Sequence, residues 1–115
     1  MVAQPVPEVT EDDVKRVVIR DFGESQADYV LSLIAECGSG ARVRLAVLKL
    51  ANGDIKKLSE AKELTFQDYR DVLSEAEYPR YSREIAFNPV PEPEELLIIN
   101  DDWKQYCEWL KREPR

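Results

Sequence analysis

Residues 41–54 read ARVRLAVLKLANGD. From Ala41 to Ala51 the apolar residues Val43, Leu45, Ala46, Val47, Leu48 and Leu50 are interrupted only by Arg42, Arg44 and Lys49. A helix that is apolar almost all round has no solvent face, so this one belongs at the centre of its domain. Asn52 and Gly53 follow, residue types that take the left-handed conformation closing a helix, and Asp54 is a good N-cap for the next. The stretch therefore predicts an antiparallel helical hairpin and sets the fold class: all-α, a compact irregular bundle of about five helices around a central apolar one.

Working outward, residues 55–77 place Ile55, Leu58, Ala61, Thr65, Tyr69, Val72, Leu73 and Ala76 on one helical stripe. Thr65 with Asp68 three residues on resembles a capping box, so two shorter helices meeting near Thr65 are the alternative to a single long one. Residues 79–93 hold Pro79, Pro89, Pro91 and Pro93 together with Tyr81 and Phe87. Prolines argue for a loop, and aromatic side chains argue that it packs back on the domain. Beyond it, Leu96, Ile99, Trp103, Tyr106, Cys107 and Leu110 predict a final helix with Pro93 in its first turn. Asp101 and Asp102 could instead cap a shorter helix after an extended segment 96–99.

Upstream, Ser25 can cap a helix striped by Ala27, Val30, Leu31, Ile34 and Cys37, closed by Gly38 and Gly40. Before that, Thr10 and the acids Glu11, Asp12 and Asp13 suit the start of a helix running to about Asp21, with Gly23 as its C-cap. The β-branched run Val17, Val18, Ile19 leaves a strand as the competing reading there. The domain organisation expected is a flexible arm over residues 1–9 and one helical domain over 10–115.

The totals fit this picture. Of 115 residues, 43% are hydrophobic and 34% charged, the balance of a chain that buries a core. The longest apolar runs, 45–48 and 96–99, fall far short of the roughly 18 residues of a membrane-spanning helix. Residues 1–10 carry Pro5 and Pro7 and lack the basic and apolar regions of a signal peptide, so no membrane association and a cytoplasmic location are expected. Cys37 and Cys107 are too few for a disulfide scaffold and fall on apolar stripes, as buried free thiols do.

The net charge is -7. It is uneven, because residues 41–58 hold five bases against one acid while both flanks are acidic. Histidine is absent, which removes Ser-His-Asp and Cys-His catalysis and helical histidine-zinc sites. The glycines at 23, 38, 40 and 53 fit no phosphate loop. No catalytic residue and no cofactor is assigned.

Three constellations remain. Asp68, Asp71 and Glu75 would lie within about 60° of each other on a continuous helix, a line that can chelate a divalent cation. The more economical reading pairs them with arginines of neighbouring helices, Arg42, Arg44 and Arg83 being the candidates. The basic segment Arg42, Arg44, Lys49, Lys56 and Lys57 resembles a helix-turn-helix only superficially, since a recognition helix needs a polar outer face; nucleic-acid binding is disfavoured by that and by the acidity. Trp109 falls off the last helix's stripe beside Asp102, and with Tyr81 these two make the candidate partner-binding set. Its competing reading is a large ring covering the domain edge.

The blocks LAVLKLANGD at 45–54 and DYRDVL at 68–73, with Ala76, Glu77, Tyr78 and Pro79 following, resemble a pattern of small uncharacterised bacterial all-helical proteins. The resemblance covers the middle third of the chain. It implies an intact natural domain and carries over no functional residue. The leading functional expectation is thus a non-catalytic acidic interaction domain, an inhibitor or immunity-type binder of a basic protein. A metal-dependent enzyme using Asp68, Asp71 and Glu75, and nucleic-acid binding through the basic hairpin, are the alternatives. Monomer and homodimer are both left open.

Overall fold

The computed structural model describes residues 4–37, 40–85 and 88–114. Six helices and no strand occur among the described residues: α1 Glu11–Phe22, α2 Glu24–Ala35, α3 Ala41–Ala51, α4 Ile55–Glu77, α5 Pro79–Glu84 and α6 Glu92–Lys111. The fold class is all-α, as the central stretch predicts.

The α3–α4 hairpin forms for the reasons legible in its residues. Asn52 closes α3 in the left-handed region (φ 49°, ψ 44°), and the Asp54 carboxylate accepts from the Lys56 and Lys57 amides at 2.8 and 3.1 Å. Gly53 has φ 80°, and a Cβ there would meet the Asp21 carbonyl oxygen at 3.1 Å, so the turn also packs against the end of α1. Among its described neighbours α3 is enclosed on every side. It has no exposed residue, and Leu45, Ala46, Val47, Leu48 and Ala51 are wholly buried. Val14, Val17 and Val18 of α1, Val30 and Ile34 of α2, and Leu58, Ala61, Val72 and Ala76 of α4 supply the surrounding core.

At the amino end, Thr10 and Asp13 form a capping box: the Thr10 amide donates to Asp13 at 2.9 Å and the Asp13 amide to the Thr10 hydroxyl at 3.4 Å. Val17, Val18 and Ile19 are helical, which removes the strand alternative. Gly23, at φ 86°, ends α1 by donating to the Ile19 carbonyl and at once begins α2. The expectation that Ser25 caps α2 is therefore corrected, because the glycine lets the chain turn directly and Ser25 falls inside the first helical turn. Within the expected arm 1–9, residues 4–9 lie without regular structure against the domain. Pro7 is buried, Val9 packs on the core, and the Tyr78 hydroxyl donates to the Pro5 carbonyl.

Two further expectations change. The break in α4 falls at Asp68 (φ -157°, ψ 102°) and not near Thr65. The Thr65 hydroxyl turns back to the Lys62 carbonyl at 2.6 Å, whereas the Asp68 carboxylate accepts from the Arg70 amide at 3.0 Å and caps the second half itself. Pro79, expected to open a loop over 79–93, instead occupies the first turn of α5, a position that does not need its missing N–H. Only residues 85–91 then separate α5 from α6, and Phe87 lies outside the described residues. The final helix is continuous from Glu92, so the extended alternative for 96–99 is not taken. No helix among the described residues is long and apolar enough to cross a membrane.

Tyr78, Ile85, Ile98, Ile99 and Tyr106, on or beside α5 and α6, are buried as well. Because Leu48 is wholly buried in the central helix, Leu48→Ala is expected to lower unfolding free energy by about 2–5 kcal/mol. Urea unfolding followed by circular dichroism measures this, and a loss under about 1 kcal/mol would mean that α3 is not the packing centre.

Candidate interaction surface

The three residues singled out for partner contact occupy structural positions. Asp102 is 2% exposed, and its carboxylate accepts from the Tyr81 and Arg80 amides at 2.8 and 3.3 Å, tying the start of α5 to the middle of α6. Burial pushes its carboxyl pKa up, against the lowering effect of those two amides. Tyr81 is half-buried, with its hydroxyl donating to Glu95 at 3.2 Å.

Trp109 packs on the core, its ring 5.5 Å from that of Tyr106 at an interplanar angle of 51°. The Arg20 guanidinium lies 5.1 Å from the indole centroid. The same guanidinium donates to the carbonyls of Trp109, Leu110 and Arg112 at 2.7, 3.2 and 3.2 Å, and Arg16 donates to that of Leu110 at 2.8 Å. These carbonyls close α6, that of Trp109 also accepting from the Arg112 amide at 3.2 Å, and two arginines of α1 bond them at the negative end of the helix dipole. The Arg20 side chain is 3% exposed and bonds Asp21, itself 4% exposed, at 2.8 Å. Trp109, half-buried, therefore holds α6 to α1 and covers the domain edge, while Asp102 is enclosed between α5 and α6.

The carboxylate line is likewise dispersed. The break at Asp68 interrupts the helix that would have aligned it with Asp71 and Glu75. Asp68 pairs with Arg70 at 3.0 Å, Glu75 with Arg83, and Asp71 is exposed. Among the described residues no three His, Cys, Asp or Glu side chains are placed to hold a metal ion. Of the expected arginine partners only Arg83 reaches the line. Arg42 makes a two-pronged pair with Glu77 at 2.7 and 2.8 Å, and Arg44 pairs with Glu11. Both arginines sit on α3 and meet the acid nearest their own side of it. Cys37 and Cys107 are free, the first buried and its thiol pKa raised by that burial.

A surface that the sequence reading passed over lies between α5 and α6. Ile85, Val90, Leu97 and Ile98 line a groove of about 470 Å³ together with Glu84, Glu94 and Asp101. Among the described residues its one lining cation, Arg80, is shared by Glu84 at 2.7 Å and Asp101 at 2.9 Å. Leu97 is 65% exposed, the largest exposure of any large apolar side chain described. Glu94 stands beside it, with Glu92 and Glu95, in the first turn of α6, where the helix dipole favours negative charge. The arrangement offers an apolar centre inside an acidic rim. A signal was present: Leu96, Leu97, Ile98 and Ile99 are four consecutive apolar residues, more than one helical stripe can bury. At about 100° per residue Leu97 points roughly opposite to Ile99.

Asp102 generates a test with a definite sign. Its folded pKa is raised, so its contribution to stability is fullest below the unfolded aspartate value of about 3.9 and declines as pH rises through the folded value. Asp102→Ala is expected to cost about 1 kcal/mol at pH 7 through loss of the α5 cap. The gap between wild type and variant should widen on acidification through the raised value, as read by urea unfolding across that range. A gap that narrows would contradict the assigned cause.

No protein-family model, curated protein or solved structure matches the chain.

Proposed function

We propose that this domain is a non-catalytic interaction module that binds a basic protein, as an inhibitor or immunity protein does, and that it works in the cytoplasm. The observation that carries the reading is the α5–α6 groove, in which the exposed Leu97 stands among Glu84, Glu94 and Asp101. An apolar anchor inside a charged rim divides the labour of recognition. The anchor supplies affinity once desolvated, and the rim supplies orientation, association rate and discrimination against like-charged partners. The net charge of -7 adds long-range attraction for a basic surface.

The other two readings gain no such support. The carboxylates Asp68 and Glu75 are each engaged by an arginine, and of the bases that nucleic-acid binding would use, Arg42 and Arg44 are engaged by Glu77 and Glu11, which leaves Lys56 and Lys57 exposed. Two free thiols accord with a reducing compartment.

The test compares immobilised wild type with Leu97→Asp, a surface change that leaves the core untouched, in extracts of the native cell. Wild type is expected to retain a basic protein at about 0.1 M salt and to release it near 1 M, where screening acts within about 3 Å. Leu97→Asp should weaken that retention by about thirtyfold, the loss typical of a buried anchor. Identical sets of proteins on both columns would sink the reading.

A further inference from the structure

A second groove, of about 650 Å³, lies at the other end of α6, and its charge is of the opposite sign. It is lined by Arg16 and Arg20 of α1 and by Lys111 and Arg112, around the apolar Ile19 and Pro114; Glu113 is its one acid among the described residues. Arg20 is spent internally on Asp21 and on the α6 carbonyls, Arg16 also bonds Asp13 and the Leu110 carbonyl, and Arg112 reaches Asp21 at 3.5 Å, which leaves Lys111 as the cation without such a bond among those described. Arg16 and Arg112 keep 45% and 38% of their side-chain surface, Lys111 is exposed, and Ile19 is 43% exposed. The two grooves are thus complementary: three acids and one base around Leu97 at one end, four bases and one acid around Ile19 at the other.

We infer that a second copy of this chain docks head to tail, the acid-rimmed groove of one molecule against the basic groove of the next. One molecule cannot satisfy itself, because the helical rise of α6 holds Leu97 and Lys111 about 21 Å apart. Leu97 then meets Ile19 while Glu94 and Asp101 face Arg16 and Lys111. The contact is heterologous, so each added copy presents both grooves again and the assembly can extend or close into a ring. The charge of -7 on each copy does not forbid this, since at physiological salt repulsion between distant acids is screened beyond about 8 Å and contacting groups dominate. A second copy suits the basic groove because the chain itself carries the matching surface. The inference shares the α5–α6 groove with the function proposed above, so a basic partner and a second copy compete for it.

Sedimentation velocity on the purified chain at about 0.1 M salt, over protein concentrations up to about 1 mM, reads the result. The average mass should rise with concentration and fall back at about 1 M salt. Lys111→Glu and Glu94→Lys each alter an exposed side chain at one end, and each alone should weaken association at least about tenfold, with melting temperatures confirming that both fold. An equimolar mixture of the two variants should associate again, because each supplies the complement of what the other has lost. A wild type that keeps the mass of one chain at all concentrations overturns the inference and leaves partner capture through Leu97 untouched. Association that survives Lys111→Glu, or that the mixture fails to restore, overturns the head-to-tail pairing.

Discussion

Three cations on a helix with no fully exposed residue are the constraint around which this molecule is arranged. Arg42, Arg44 and Lys49 interrupt α3, yet no residue of α3 is exposed. Each charge must be met by whatever packs on its side. Arg42 is met at the end of α4 by Glu77, whose side chain is 3% exposed, and the pair raises the arginine's pKa. Arg44 is met at the start of α1 by Glu11. Lys49 has its ammonium pKa pushed down by burial, with the fields of Asp102 on α6 and Glu75 on α4 opposing that shift. Apolar packing alone would let α1 and α4 slide or exchange sides around so symmetrical a helix. Arg42 and Arg44 keep 37% and 20% of their side-chain surface, so the group most costly to leave alone is the nearly buried Glu77, which fixes the end of α4 against Arg42.

The last helix is held differently. Little of α6 enters the main core, and beside the buried Ile98, Ile99 and Tyr106 its attachments are polar at two levels: Asp102 to the amides of α5, and the carbonyls at its end to Arg16 and Arg20. Such bonds fix direction and register while leaving one side of the helix bare. The bare side carries Leu97 at one end and joins the cationic corner at the other, so the means of attachment is also what keeps both grooves open. A helix buried by an apolar stripe of full width would have used all four residues 96–99 inside.

Much of this architecture could be read from residues whose effect is local. The absence of a polar face in 41–51, the Asn52, Gly53, Asp54 turn and the Thr10 cap act within a few positions, and each produced the structure its chemistry dictates. What escaped depends on distant partners. Asp102 reads as a surface acid until two amides more than twenty residues away are brought to it, and of the two readings of Trp109 the ring at the domain edge is given its partner only when Arg20 is placed over it. Pro79 misled because proline at a helix start and proline in a loop look alike without knowing which N–H groups need partners. The break in α4 fell at Asp68 because its carboxylate caps well, whereas Thr65 had a nearer acceptor behind it.

The joining of α1 to the end of α6 also has a bearing on time. Two hairpins of this fold, α1 with α2 and α3 with α4, bring together helices joined by a single glycine or by a three-residue turn, and such short-range pairings form quickly. The Arg20 bonds to the last carbonyls instead link residues 89 to 92 positions apart. Closing a loop of that length costs the chain more entropy than closing either hairpin, a cost that the packing of Trp109 and Leu110 on the core helps offset. On loop entropy alone this closure is slower to form than either hairpin, whose partners lie a turn apart in sequence.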